Sequence, residues 1–402
     1  CSAFMRILLV GEYSNLHNSL QAGLLANGHE VTLISTGDAF KKLPSDVLIK
    51  AKRIEESRLL QTLRKGIFKF TKFDIATLEI GYRALDWLVD QNEFDVIQLI
   101  NEYPFKTPYF IERRIIKRLR QLTPKLVILA CGDDYIYLNN IDQLTYHPIL
   151  QHPDIDFPYS KKYLTAAHKK YHELVFELKD LIISTDLDYH PIYKGRTDYY
   201  GLIPNPIKLD KFDNVKNTAN KRIVIFHGVN RSNYYKKGNY YFDSALCIIR
   251  QKFGDRIKLI CVTSLPYAEY IDSYREADII LDQTYAEDQG YNALEAMAQG
   301  KVVFTGAGAS FCERYQVASN SVAIHTIPDA KKIAQDLEEL ILNPQRIAEI
   351  GTHAMRFVQE HHNYLKVAEH YVSAWNSIKS DDAVSASSEA QKSGTKNSKT
   401  QE

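Results

Sequence analysis

The feature that most constrains this chain is its rhythm. Short β-branched runs alternate with longer amphipathic stretches along nearly the whole sequence, the pattern of a parallel sheet wrapped by helices. Met5 to Val10 reads as a first strand, and a helical stretch from about Asn15 to Asn27 follows. Gly28 then sits where a helix end takes a left-handed residue, and Glu30 to Ser35 reads as a second strand. Further strands are expected at 95–100, 125–130 and 181–184. After Ile203-Pro204-Asn205-Pro206 the series restarts, with strands expected at 222–227, 256–262, 278–282, 301–304 and 321–325. A strand-helix series that begins again after a proline-punctuated segment is most simply a second domain, and 402 residues suit two domains of roughly 150 to 200 residues. The boundary falls near 202–220. From about Ser380 the chain is mainly Ser, Ala, Lys and Gln, with no aromatic residue after Trp375, and it is expected to be disordered because it cannot bury enough surface to offset its ordering entropy.

Charge and cysteine usage remove several function classes. Fifty Lys and Arg against 49 Asp and Glu leave a net charge of +1, which excludes a globally basic nucleic-acid binder and an acidic tail protein. The apolar runs at Ile7 to Val10 and Leu126 to Ala130 are far short of the roughly 20 residues of a membrane span. The apolar stretch after Arg6 ends at Gly11, so no secretory signal is expected, and Met5 reads as the natural start with Cys1 to Phe4 a remnant ahead of it. Five scattered cysteines without a CxxC pair suggest neither a zinc site nor a disulfide framework, and fit a reducing cytoplasm. One segment breaks the charge balance: residues 41–73 carry ten Lys or Arg and three acids, a net +7. Its end, Arg64-Lys-Gly-Ile-Phe68-Lys-Phe70-Thr-Lys-Phe73, interleaves basic and aromatic residues. That pattern reads either as a solvated helix face with Ile67, Phe68 and Phe70 packed inward or as a peripheral contact with an anionic membrane surface.

The densest chemical signal is Thr284-Tyr-Ala-Glu287-Asp-Gln-Gly290-Tyr-Asn-Ala-Leu-Glu295-Ala-Met-Ala-Gln-Gly300. A strand ending at Asp282 feeds a polar loop and then a helix of about two turns from Asn292 to Gln299. Ligands of open α/β sheets bind beyond the carboxyl ends of the strands, where helix N-termini favour anions. Two carboxylates beside such a helix end make chemical sense if they hold neutral hydroxyls, as a sugar or ribose would supply. By spacing alone Glu295 equally reads as a residue that caps or solvates a helix, and Glu287 as a loop charge.

Glu287, seven intervening residues, Glu295 and the Ala-Met-Ala-x-Gly continuation resemble the Glu-x7-Glu motif of GT-B fold glycosyltransferases, in their retaining, group 1 or family-4-like branch. The opening Met5 to Val10 with Asn27-Gly28-His29-Glu30-Val31, the Ile203-Pro-Asn-Pro206 segment and Tyr274 to Leu281 are similar to the corresponding segments of that family. The resemblance implies an α/β protein of two Rossmann-like domains facing across a cleft. Residues 5–203 would form the acceptor-side domain and 204–360 the nucleotide-sugar domain, with a C-terminal helix at 361–379 packing back on the first domain and a disordered tail at 380–402.

The resemblance also implies site roles. Glu287 would read the donor sugar and Glu295 the nucleotide ribose, with Gly290, Tyr291 and Asn292 beside the nucleotide. A basic pair after the first strand of the second domain neutralises the diphosphate in that family. Phe226-His227-Gly228 precedes Arg231 and Lys236-Lys237-Gly238 here. Four intervening residues after Arg231 select Lys236 and five select Lys237, so either is a candidate. On the acceptor side the candidates are Gly11, Asp133 and Asp134, since Cys131-Gly132-Asp133-Asp134 stands where the family often presents a His-Gly-Ser-Asp-like turn. Cys131 departs from the His of that turn and reads as a small buried residue. No cofactor and no metal are expected. Asp186-Leu187-Asp188 has the form of a metal-binding DxD, but it follows a strand of the first domain and reads as a helix cap. Gly306-Ala-Gly308 lacks the third glycine of a dinucleotide fingerprint, and His361-His362 reads as surface.

The reaction so implied is transfer of a sugar from a nucleoside-diphosphate sugar to an acceptor hydroxyl, with retention and without a metal, in glycan or cell-surface polysaccharide synthesis. The expected partners are that donor and a glycan or lipid-linked acceptor, with no nucleic acid, at a cytoplasmic position peripheral to the inner membrane face. A GT-B fold nucleotide-sugar 2-epimerase and a catalytically silent nucleotide-sugar scaffold remain alternatives on the sequence.

Overall fold

A computed structural model describes residues 3–38, 41–211, 222–265, 267–273 and 275–378. The tail expected to be disordered lies outside them. Two parallel sheets carry the chain. The first is built from β1 (Arg6–Val10), β2 (Glu30–Ser35), β3 (Val47–Leu48), β4 (Val96–Leu99), β5 (Leu126–Ala130), β6 (Leu181–Ser184) and β7 (Tyr199–Leu202), in the order β3-β2-β1-β4-β5-β6-β7. The second holds β8 (Ile223–Val229), β9 (Ile257–Thr263), β10 (Ile279–Leu281), β11 (Val302–Thr305) and β12 (Ile324–His325), in the order β12-β11-β10-β8-β9. Every named strand pair is parallel. The expected two-layered series is therefore present, with all ten expected strands found and β3 and β7 added at the two edges of the first sheet.

The reasons are local. β4 and β5 are buried on both faces, as parallel strands covered by helices must be; β5 is a continuous apolar run and β4 is broken only by Gln98. The helix Leu16–Ala26 ends at Asn27, and Gly28 takes φ +87° while its amide and that of His29 return to the carbonyls of Leu25 and Leu24.

Each sheet reverses its order at one point, between β1 and β4 in the first and between β8 and β10 in the second. Such switch points open a crevice at the carboxyl ends of the strands, because successive helices leave on opposite faces. They fix where the functional residues lie.

The chain crosses between the sheets twice, and the two crossings run together. Ile207 pairs with Asn363 in a parallel bridge, and His362 Nδ1 lies 2.9 Å from the Asn205 carbonyl oxygen. His362 is thus buried at the crossing, which corrects its reading as a surface residue. The helix Pro344–His361 belongs to the second domain, and the helix Tyr364–Asn376 returns to the first. It lies so close to Leu16–Ala26 that a Cβ on Gly23 would come within 2.3 Å of the Tyr364 carbonyl oxygen, so only glycine permits the contact. Trp375, fully buried, donates its indole N–H to Gln98 Oε1 at 3.1 Å at the end of that return. The expected packing of the C-terminal helix on the first domain is borne out.

Candidate active site

The two switch points face each other. After β8 the chain makes a turn at Arg231–Asn233 and presents Lys236-Lys237-Gly238 ahead of the helix Asn239–Phe253. After β10 comes Asp282. Lys237 Nζ reaches across the second switch point to Asp282 Oδ1 at 2.7 Å. Gly238 has φ +69°, and a Cβ there would fall 1.9 Å from Thr284 Oγ1, so this turn accepts only glycine and the Lys237 backbone is held against the Asp282 to Thr284 segment. The Thr284 amide completes the clasp by donating to the Lys237 carbonyl at 3.1 Å.

Sequence spacing left Lys236 and Lys237 equivalent; the fold sends them to opposite sides. Lys236 Nζ crosses to the first domain and pairs with Asp133 Oδ2 at 2.7 Å. Arg231 is exposed at the rim, its amide 3.4 Å from Ser264 Oγ, and its side chain forms no ion pair among the described residues.

Glu287 and Glu295 separate along the same loop and helix. Glu295 lies on the helix Tyr291–Ala298, 2% exposed, with its charge reaching the hydroxyls of Tyr270 and Tyr291. It is no solvated helix residue. Glu287 is half-buried in a cleft of about 350 Å³ with Tyr137, Asp188, Gly308, Ser310 and His325 in its lining. Ser310 Oγ donates to Glu287 Oε2 at 3.2 Å. His325 Nδ1 accepts the Ala307 amide at 3.2 Å, which assigns the ring proton to Nε2, beside Gly308 and Glu287. Burial lowers the His325 pKa, so the ring enters the cleft as a neutral donor.

Gly290 caps the helix start next to Asp282, and Asn292 follows half-buried. Tyr291 points the other way: its hydroxyl bonds to Ser19 of the first domain and its ring is buried. Its side chain therefore fastens the domains together, and its backbone N–H is what it offers at the helix end.

The first domain supplies the opposite wall. Gly11 follows β1 with φ +85°, and Asp133 and Asp134 follow β5. Burial raises the Asp133 pKa, but the Lys236 ammonium and the Ser160 hydroxyl at 2.5 Å outweigh it and hold the carboxyl below its ordinary value. Asp134 is engaged in structure: it caps the helix Tyr135–Asn139 through the Tyr137 amide at 2.7 Å and accepts from Tyr193 Oη at 2.7 Å. Burial, then the Glu102 charge, pushes its pKa to about 8. Burial also raises the Cys131 thiol pKa, as suits a residue that is no nucleophile.

Asp188 does not cap a helix as its sequence suggests. Its Oδ1 accepts the Glu287 amide at 2.6 Å, and Asp288 Oδ2 accepts the Leu187 amide at 3.3 Å, so two aspartates lock the Glu287 loop to the first domain. No group of three or more His, Cys, Asp or Glu is arranged to hold a metal ion among the described residues.

Sequence reasoning passed over three positions. Ser310 and His325 reach the cleft because β11 lies beside β10 and β12 beside β11, a neighbour relation that only the fold reveals. Glu12, directly after β1, is buried; it accepts the amide of Asn18 at 2.8 Å, and burial lifts its pKa to about 8.

The comparisons with known proteins agree with this geometry. The Glycosyl transferase-like family model matches residues 235–373. No curated protein matches the chain. Among solved structures, the chain is similar to sucrose-phosphate synthase (tll1590) from Thermosynechococcus elongatus, with a TM-score of 0.59, 16% identity and 92% of this chain and 98% of that one covered. It is similar to Anabaena Alr3699/HepE in complex with UDP and glucose, with a TM-score of 0.56, 14% identity and coverages of 93% and 100%. A third likeness is to an alpha-glucosyltransferase in complex with UDP and a 13-mer DNA containing an HMU base, with a TM-score of 0.54, 12% identity and coverages of 93% and 100%. With two parallel Rossmann-like sheets and facing switch points, the chain has the GT-B fold, and its residues 235–373 match the Glycosyl transferase-like family.

Proposed function

We propose that the chain moves a sugar from a nucleoside-diphosphate sugar to an acceptor hydroxyl, with retention of configuration and without a metal. The observation that carries this reading is the clasp of Lys237 and Asp282 across the second switch point, with Glu287 in the adjoining cleft and Glu295 on the following helix. The likeness to HepE, solved with UDP and glucose, supports a uridine donor as the first to test.

In this reading Glu295 holds the ribose and Glu287 the sugar hydroxyls, with Ser310 orienting the Glu287 carboxylate. Breaking the anomeric C–O bond builds positive charge on the sugar and negative charge on the departing diphosphate. Lys237, Arg231 and the backbone N–H groups at 290–292 stabilise the departing charge, because preorganised donors act strongly in a cleft that excludes water. The acceptor approaches from Asp133 and Gly11. Incubation with UDP-sugars, with and without a glycan acceptor, tests the reading: transfer requires the acceptor, a 2-epimerase would alter the donor alone, and a silent scaffold would only bind.

The same proposal places the work at an anionic membrane surface during glycan or cell-surface polysaccharide synthesis. No helix is long and apolar enough to cross a membrane among the described residues. The helix Arg58–Thr71, however, has no buried residue, and Leu59 (78% exposed), Leu63 and Phe70 (84% exposed) share one face of it. Of the aromatic residues that would pack inward on a solvated helix, Phe68 and Phe70 are exposed. Arg58, Lys65, Lys69 and Lys72 flank the face, the arrangement of an interfacial helix drawn to anionic lipid.

A further inference from the structure

The cleft that holds Glu287 carries charge of one sign. Asp188 and Glu287 are the acidic members of its lining, no Lys or Arg joins them among the described residues, and Tyr137, Thr145, Tyr146 and Ser310 bring neutral hydroxyls. The cations of the surrounding elements are held elsewhere. Lys236 pairs with Asp133 and Lys237 with Asp282, each at 2.7 Å, and Arg314 donates to the Leu202 carbonyl at 3.3 Å. Asp186 adds to the acidic side: burial, then the Asp186 charge, raises the Asp188 pKa well above the ordinary carboxylate value.

His325 and Gly308 give this cleft its shape. The His325 ring is fixed through Nδ1, which accepts the Ala307 amide at 3.2 Å, so Nε2 carries the proton; among the described residues that N–H has no hydrogen-bond partner. Glu287 Oε1 is equally unmatched among them, while Oε2 takes the Ser310 hydroxyl at 3.2 Å. Gly308 stands beside both groups. A Cβ there would lie 3.2 Å from His325 Cε1, 3.4 Å from Nε2 and 3.5 Å from Glu287 Oε2, so a side chain would press on the donor and the acceptor together. The Gly308 φ of −73° suits any residue, so its backbone does not call for glycine. What glycine provides is open space between an N–H donor and a carboxylate. A hydroxyl, which both accepts and donates, satisfies the two at once, whereas a carboxylate brought there only accepts and meets a like charge.

We propose that this cleft selects an uncharged donor sugar, with His325 and Gly308 as specificity-determining residues: His325 Nε2–H and the Glu287 carboxylate read its hydroxyls over Gly308, and a sugar bearing a carboxylate, such as a uronic acid, is refused. This deepens the transfer reading and rests on it, since Glu287 faces the sugar only if the nucleotide sugar binds as that reading places it.

The test measures Kd by isothermal titration on the full chain with UDP, UDP-glucose and UDP-glucuronate, the last two differing only at C6. UDP-glucuronate should bind at least roughly tenfold more weakly than UDP-glucose, because like charges in a half-buried cleft are poorly screened. Glu287→Gln removes the opposing charge and should shrink that ratio to within about threefold. His325→Ala removes the donor and Gly308→Val fills the gap; each should raise the UDP-glucose Kd roughly tenfold and leave that of UDP within about twofold, the unchanged UDP affinity also reporting that the variant is folded. His325→Gln keeps an N–H donor and should restore part of the loss. Equal affinity of the parent chain for the two UDP-sugars, with UDP itself bound, would overturn the proposal. So would a ratio unchanged in Glu287→Gln, or undiminished UDP-glucose affinity in both His325→Ala and Gly308→Val. Failure of UDP and both UDP-sugars to bind would overturn the donor reading, and this inference with it.

Discussion

Lys237→Met separates two roles that one ammonium holds. In the structure Lys237 Nζ lies 2.7 Å from Asp282 Oδ1, and Asp282 is 6% exposed. The only other side-chain hydrogen bond to that carboxylate among the described residues is from Thr305 Oγ1 at 3.2 Å. Removing the ammonium strands a buried carboxylate with one hydroxyl, a change that costs ~3 to 5 kcal/mol when one partner of a buried pair is lost. The further change Asp282→Asn removes the stranded charge, so the double variant should regain most of that loss. Nucleotide binding should not recover with it, because in the proposed reading the lost cation also faces the diphosphate. A charged hydrogen bond worth ~1.5 to 3 kcal/mol translates into a Kd for UDP raised roughly 10- to 150-fold in both the single and the double variant. Denaturant melts and isothermal titration with UDP read the two quantities separately. A single variant destabilised by less than about 1 kcal/mol would refute the buried-pair argument. A double variant that regains UDP affinity would refute the assignment of Lys237 to the diphosphate.

Three other outcomes follow from the same geometry. Burial lifts the Glu12 pKa to about 8 against an ordinary 4.5, so the folded chain keeps a proton that the unfolded chain releases, and stability falls as pH rises between those values. Glu12→Gln should therefore stabilise by on the order of 1 to 3 kcal/mol at pH 8 and leave melting at pH 4.5 unchanged, whereas an equal effect at both pH values would contradict the titration. Arg231→Ala should cut turnover by roughly two to three orders of magnitude in a reaction indifferent to EDTA. Activity abolished by chelation and restored by magnesium or manganese, with Arg231→Ala nearly unaffected, would give the leaving-group charge to a metal instead. Leu63→Glu with Phe70→Glu should abolish co-sedimentation with anionic vesicles at low salt while shifting stability by no more than about 0.5 kcal/mol per substitution, because both side chains are exposed. Parent binding indifferent to anionic lipid and to salt would sink the membrane reading.

What the sequence discloses is what local physics determines. A strand buried on both faces, such as Leu126–Ala130, reads as an apolar run because helices cover both sides of it. The edge strands Val47–Leu48 and Tyr199–Leu202 escape reading because one is two residues long and the other alternates weakly, so neither carries a periodic signal. Glu287 and Glu295 are legible through their spacing within one loop and helix. The different directions of Lys236 and Lys237 are not, since they depend on a left-handed glycine fitted against Thr284 and on where the first domain places Asp133. Asp188 misleads for the same reason: a DxD with a cap-like position takes its partner, the Glu287 amide, from 99 residues away. His362 looks exposed in a polar helix and is buried because the two interdomain crossings pack side by side.

The most direct test of the account measures UDP affinity and sugar transfer in Glu295→Ala and Glu287→Ala side by side. Glu295→Ala should weaken UDP binding by roughly 10- to 100-fold, as for loss of charge-assisted hydrogen bonds to the ribose, whereas Glu287→Ala should bind UDP like the parent chain and lose transfer. Equal and unchanged UDP affinity in both variants would contradict the division of the donor between the two glutamates.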